Sequence, residues 1–326
     1  MPMKFGLSLF GALQTPDDTL RLLTYRSFID AEISVWRVFL LWTPPGEQFS
    51  LITPDGGLRQ QLLSRLVNLM NFADDYNIHF QLVGLPNFVG RSNYNRYKQT
   101  WSDILTAIGP LPSSTWSVDL WNEQDQRDNQ EIDDGFPMTK ALYDITREKA
   151  PGHKITVSLS LSGPANSGPP WQSRPDYQYV RWQLLAQKGI NLDYYASHAQ
   201  RNPPDDWAEH NKDHFDRLRK NFTTPGNTLY KPNPELWDDE GARERYSENG
   251  RPVPDPTVQE RVDAAQGAED AGCYVHIFHT DANFYGGLGF SQTELEAIGR
   301  ISREVIDDVE VEPPPGPEPE PTPEPC

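Results

Sequence analysis

Short apolar runs alternate eight times with stretches of helical period, and this alternation constrains the chain more than any other feature. The runs are KFGLSLF (4–10), ISVWRVFLLW (33–42), IHFQLVGLP (78–86), WSVDLWNE (116–123), KITVSLSL (154–161), NLDYYASHA (191–199), NPELWDDEG (233–241) and CYVHIFHTD (273–281). Between and after them, apolar residues recur at spacings of three and four, as in Leu58, Leu62, Leu66 and Met70, or Tyr177, Val180, Leu184 and Leu185. Thr15 and Pro16 read as a helix start, and Ser291 with Glu294 as a capping box. Runs of strand length followed by helical segments imply a parallel sheet covered by helices. Eight such units predict closure into an α/β TIM (β/α)8 barrel, a fold of roughly 250 residues before insertions. A doubly wound open sheet is the alternative, but no Gly-rich phosphate loop follows any run.

Loop lengths carry the next constraint. Helix-to-strand connections are brief, whereas the strand-to-helix segments 43–57, 124–137, 162–176, 200–212 and 241–256 read as long loops. In a barrel these loops share the face at the strand C-termini, where active sites are built. The expected organisation is a barrel over residues 1–307 and a disordered tail over 308–326. The tail, rich in Pro and Glu, has too little apolar surface to fold.

The formal net charge of −18 bears on partners. The last twenty residues hold seven acids and no base, so the body is acidic too. Such a chain repels polyphosphate and anionic bilayers, so neither nucleic acid nor a membrane is an expected partner. No apolar run reaches the roughly 20 residues of a membrane span, and the N-terminus makes a poor signal peptide. A soluble monomer is expected. Of the two cysteines, Cys273 lies in an apolar stretch and reads as a small buried hydrophobe.

The fourth run climbs as core and then ends on Asn122, Glu123, Gln124 and Asp125. The seventh ends in Asp238, Asp239 and Glu240. Polar strand ends of this kind suit a catalytic mouth. In the barrel, Glu123 and Glu240 share one rim, and two carboxylates facing one cavity suit glycoside hydrolysis, in which one protonates the leaving oxygen while the other attacks or activates water. Alternation along the strand turns Asp239 away from the Glu240 side. Arg37 lies mid-strand in an apolar run, and a buried Arg needs an anionic partner.

WNEQ (121–124) at the fourth strand and WDDEGA (237–242) at the seventh resemble the clan A glycoside hydrolases, the cellulase-like TIM barrels, over nearly all of the chain except the tail. The resemblance implies a retaining hydrolase of β-linked oligo- or polysaccharides. It makes Glu123 the general acid/base, Glu240 the nucleophile and Asn122 a ligand of the neighbouring sugar hydroxyl. It makes Arg37 the residue that keeps the nucleophile ionised, and places His198 near that nucleophile. The chain departs from the pattern where Gln200 replaces a strand 6 Tyr, and where HTDANFY (279–285) has no Trp, leaving Phe284 or Tyr285 as substitutes.

Aromatic rings pack on the flat C–H faces of sugars. Trp42, Trp171, Trp207, Trp237 and Tyr285 fall at or near strand ends and in long loops, and are the subsite candidates. Trp237 suits packing between strands and helices equally well. No cofactor and no metal are expected. His276 and His279 are three apart on a strand and point to opposite faces, and His210 and His214 fall in a polar stretch read as loop. Two rival readings remain open at this point: a barrel that binds carbohydrate without turnover, and a metal-dependent barrel hydrolase.

Overall fold

The structure, a computed structural model, describes residues 3–9, 13, 33–41, 50–125, 129–160, 174–199, 206–241 and 257–278; at 9, 73, 129–134, 174, 240 and 241 it describes the backbone alone. Eight strands lie in chain order: β1 (Lys4–Leu9), β2 (Val35–Phe39), β3 (His79–Val83), β4 (Trp116–Asp119), β5 (Lys154–Thr156), β6 (Tyr195–Ser197), β7 (Leu236–Gly241) and β8 (Val275–Phe278). Every strand pairing is parallel, in the order β5-β4-β3-β2-β1-β8-β7-β6. The two ends of that order meet. A parallel bridge joins Leu159 to Ser197, and His198 N–H donates to the Leu159 carbonyl at 3.0 Å. The sheet therefore closes into the eight-stranded barrel expected from the alternation.

Six helices among the described residues pack outside it: α1 (Gln60–Asp74), α2 (Tyr94–Ile108), α3 (Asn129–Lys149), α4 (Arg174–Gln187), α5 (Trp207–Thr223) and α6 (Val258–Asp270). The helices expected after the first and eighth strands, and the Pro/Glu tail, lie outside the described residues. No described helix is long and apolar enough to cross a membrane.

Strand alternation divides the core in two. One set of side chains, with Trp36, Phe80, Trp116 and Val118 among them, joins the large cluster under the helices. The other set points into the lumen, where Val35, Tyr194, Ala196, Trp237, Val275 and Ile277 form a separate plug. Cys273 is buried, as its apolar setting predicts.

Three boundaries or faces differ from expectation. Helix α3 begins at Asn129 and runs through Pro137, so much of the loop read over 124–137 is helical. Proline removes one backbone donor from a helix, and the remaining turns carry it past the defect. Helix α5 begins at Trp207, because the Asp206 side chain accepts the Glu209 N–H at 2.9 Å and caps it; His210 and His214 are thus helical. Helix α4 exposes Val180 and Leu184 and buries Gln178 and Arg181 instead. Those polar groups have partners inside: Gln178 donates to the Leu159 and Ser160 carbonyls, and Arg181 Nε donates to Gln124 Oε1.

Helices α5 and α6 cross so tightly that a Cβ on Gly267 would lie 2.1 Å from the Ala208 carbonyl oxygen. Backbone cannot yield as a flexible side chain can, so the helices must separate to admit a methyl. Gly267→Ala is expected to lower unfolding stability in urea by about 1–3 kcal/mol. Gly152→Ala, where the nearest atoms stand at 3.6 Å, should cost less than about 1 kcal/mol. Equal effects of the two changes would contradict the packing described.

Candidate active site at the C-terminal mouth of the barrel

The site begins where β4 stops. Asp119 is the last strand residue and faces the lumen, fully buried. Its Oδ1 accepts the N–H groups of Trp121 (3.3 Å) and Ser158 (3.0 Å), and its Oδ2 accepts the Ser158 hydroxyl at 2.6 Å. Capturing the Trp121 N–H draws that group away from the sheet ladder, so the chain turns. Asn122 N–H then donates to the Gly84 carbonyl, and Glu123 N–H to Ser158 Oγ.

Glu123 sits in this turn at φ 52°. That left-handed conformation costs an L-residue on the order of 1–3 kcal/mol, and strain of this size persists where surrounding contacts over-determine it. Here Asp119 and Ser158 supply those contacts. The resulting turn sets the Glu123 carboxylate against His198, with Oε1 3.1 Å from Nδ1 and only 11% of the side chain exposed.

Arg37 lies at the centre of the lumen. It has no exposed surface. Its Nη2 donates to Asn122 Oδ1 at 2.5 Å and stands 3.4 Å from Asp119 Oδ2 and 3.5 Å from Asp239 Oδ2. The guanidinium also lies over the Phe39 ring, 4.6 Å from its centroid. Asn122 is thereby fixed next to Glu123. The anionic partner expected for Arg37 is supplied by β4 and β7 together.

Asp239 occupies the lumen side that the sequence reading reserved for Glu240. Its side chain points into the lumen, where it meets Arg37, Gln81 Nε2 (3.4 Å) and His198 Nε2 (3.3 Å). Asp238 points outward, to Asn211 on α5 and His276 on β8. The pairing of β7 with β8 shifts register between Asp238 and Gly241. Trp237 in the lumen, Asp238 outside and Asp239 in the lumen keep the two-residue alternation up to this point. The backbone of Glu240 lies within the bulge, at the mouth end of β7.

The structure thus brings Arg37, Asn122, Glu123 and His198 together. Two aromatic candidates belong elsewhere. Trp207 packs between α5 and α6, 4% exposed, and donates from Nε1 to Glu260 Oε1; the cap at Asp206 converts its supposed loop into a helix start. Trp237 is the second residue of β7 and 2% exposed, low in the lumen against Tyr194, with ring centroids 4.2 Å apart. Neither ring can face a sugar from there. Trp42, Trp171, Gln200, His279, Asp281, Phe284 and Tyr285 lie outside the described residues. Among the described residues no three His, Cys, Asp or Glu side chains converge as metal ligands.

Sequence reasoning passes over Asp119 and Ser158. Their signal is present in SVDL (117–120) and TVSL (156–159), where polar residues alternate with apolar ones, as they must if the lumen of a closed barrel is polar at that level.

No family model matches the chain, and a search of curated proteins by sequence also finds no match. Solved structures do match. GH5_18 from Streptomyces cattleya, in complex with GlcNAc, superposes with a TM-score of 0.62 at 15% identity, covering 96% of this chain and 82% of that one. A GH5-4 broad specificity endoglucanase from an uncultured bacterium gives 0.59 at 11% identity, over 92% and 94% of the two chains. A β-glucosidase from Thermotoga maritima gives 0.53 at 11%, over 86% and 88%. The chain has the barrel fold of the clan A glycosidases, and at these identities the likeness is one of fold.

Asp125 closes the polar end of the fourth run. It is fully buried, and its Oδ1 accepts the Ser160 N–H at 2.8 Å. Burial pushes its carboxyl up to about 7, against the opposing effects of that hydrogen bond and of His198 and Arg181. An unfolded carboxyl releases its proton near pH ~3.9. The folded state therefore holds the extra proton between these values, and stability falls as pH rises through that window. Asp125→Asn removes the titration while keeping an acceptor for Ser160. It is expected to gain stability over the parent at pH 8, on the order of 2–4 kcal/mol, and much less at pH 4.5. A difference that is the same at both pH values in chemical denaturation would contradict this.

Proposed function

We propose that the chain is a retaining glycoside hydrolase of β-linked glycans, with Glu123 as general acid/base and Glu240 as nucleophile. The observation that carries the proposal is the strained, nearly buried Glu123, fixed at φ 52° beside His198 and next to an Asn122 that Arg37 holds. A solvated rim carboxylate has no need of such support.

The chemistry divides between the two sides of the mouth. Glu123 on the β4 side protonates the glycosidic oxygen as the bond to the anomeric carbon breaks. Glu240 on the β7 side attacks that carbon, and water activated by Glu123 then releases the sugar with its configuration retained. Asn122 presents its amide toward the 2-hydroxyl next to the reacting carbon, its Oδ1 being occupied by Arg37. Retention requires the two carboxyls about 5–5.5 Å apart. Fold neighbours described in complex with GlcNAc, Manβ1-4GlcNAc and a xyloglucan oligosaccharide support a pyranose glycan as substrate.

One observation favours a second reading, a barrel that binds glycan without turnover. Asp239 shares Arg37, so an ionised Glu240 nearby would feel a like charge. Release of reducing sugar from β-glucan, mannan, xylan and chitosan separates the two readings, since binding without release across the panel would favour the second.

The roles predict distinct mutant signatures. Glu123→Ala should lower kcat/KM for unactivated glycans by about 10²–10⁴-fold and spare aryl glycosides with good leaving groups, which need no proton. Glu240→Ala should abolish turnover and regain it with azide or formate, giving product of inverted configuration. Full activity in Glu240→Ala would end the proposal.

A further inference from the structure

We infer that Gln178, on α4 outside the barrel wall, is a positioning residue that holds His198 against Glu123 across the seam between β5 and β6. This rests on the reading of Glu123 as acid/base. The geometry is a closed circuit of contacts through the wall. From Glu123 the chain runs two residues to Asp125, whose Oδ1 accepts the Ser160 N–H at 2.8 Å. The Ser160 carbonyl accepts Gln178 Nε2 at 3.2 Å, and Gln178 Oε1 accepts the Ser197 hydroxyl at 2.9 Å. Ser197 adjoins His198, whose Nδ1 returns to Glu123 Oε1 at 3.1 Å.

The seam explains why a helix side chain takes part. Each other junction of the barrel is a ladder of paired residues. Among the described residues, the β5 and β6 segments share only the bridge from Leu159 to Ser197. Side chains stand in for the rest of that ladder. Low in the seam, Asp193 Oδ2 accepts the Ile155 N–H at 2.8 Å, and the Thr156 hydroxyl donates to the Tyr194 carbonyl at 2.9 Å. At the mouth end Gln178 Nε2 donates to the carbonyls of Leu159 (3.1 Å) and Ser160 (3.2 Å). Backbone carbonyls only accept, so the amide has one orientation, with Nε2 toward β5 and Oε1 toward Ser197. Gln178, Ser160 and Ser197 have no exposed surface, so water does not compete for the clamp.

The clamp reaches the reaction through His198. Successive strand residues face opposite ways, so Ser197 turns out to Gln178 while His198 turns into the lumen. Arg37 Nη2 can only donate, which makes His198 Nε2, at 3.5 Å, the acceptor and puts the ring hydrogen on Nδ1. That hydrogen meets Glu123 Oε1. It fixes the rotation of the carboxyl and leaves the acid proton to Oε2. Gln178 touches none of the reacting groups, yet it sets how far the end of β6 stands from β5, and with it the reach of His198. A displacement of about 1 Å remote from the chemistry can cost about 10²-fold in rate.

Two variants open the circuit at adjacent links. Gln178→Leu removes the amide and keeps most of its bulk, and Ser197→Ala removes one hydroxyl, so the test survives if the first variant does not fold. Tyr179→Phe is the control: it removes a hydrogen bond of the same helix, from the Leu229 N–H, that lies outside the circuit. In chains labelled with 15N-histidine and assigned by a His198→Gln spectrum, both circuit variants should shift the His198 ring resonances. They should also speed hydrogen exchange at the His198 amide, which donates to the Leu159 carbonyl. Tyr179→Phe should do neither. That readout needs no turnover, so a chain that hydrolyses nothing ends the acid/base reading and leaves the clamp standing. With turnover, kcat for unactivated glycans should fall about 10–100-fold while KM changes less than about 3-fold. Dinitrophenyl glycosides, which need no proton, should lose less than about 3-fold. An unmoved His198 in both circuit variants, or equal losses on both substrate types, would mean that Gln178 only supports the fold, and would overturn the inference.

Discussion

Arg37 is a cation with no exposed surface, and a cation so placed must be met by anions and acceptors. It reaches across the lumen from β2 to Asp119 and Asn122 at the end of β4, and to Asp239 on β7. His198, following β6, stands 3.5 Å from the same Nη2. A parallel barrel brings the C-terminal ends of all its strands to one mouth, but it does not say which side chains converge there. The buried guanidinium does, because each group it holds is placed to within hydrogen-bonding distance.

The price of that arrangement is visible in the local backbone. Asp119 ends its strand by taking an amide proton from the ladder, and Glu123 occupies a left-handed conformation. These departures fall on adjacent turns of one short segment, where four polar residues follow an apolar run. Ser158, two residues beyond β5, serves both, receiving the Glu123 N–H and donating to Asp119. Ordinary loops have no reason to collect such support, and a carboxylate that must meet a substrate at fixed geometry does.

Much of this arrangement is legible in the order of residues alone. The two-residue and 3.6-residue periods differ enough to place all eight strands, and WNEQ at the end of the fourth marks the position of Asn122 and Glu123. Arg37 in an apolar run demands a counter-ion, and the barrel supplies two. What the sequence hides is set by tertiary contacts. Periodicity picks the wrong face of α4 because Gln178 and Arg181 turn inward to carbonyls and to Gln124, partners that no spacing reveals. Trp207 reads as a loop residue because composition does not show that one aspartate, Asp206, starts a helix there. Asp239 reads as turned away because the faces of the seventh strand are counted from Glu240, whereas Trp237 and Asp239 are the residues that share the lumen.

Carboxylates from β4 and β7 are assigned here to the two sides of one glycosidic bond, and trapping the intermediate tests that assignment most directly. Incubation with a panel of 2-deoxy-2-fluoro glycosyl fluorides, followed by peptide mass spectrometry, should find a single covalent sugar on Glu240, the β7 residue assigned as nucleophile. A sugar attached to Glu123 or Asp239, or turnover that gives inverted product and no adduct, would contradict it.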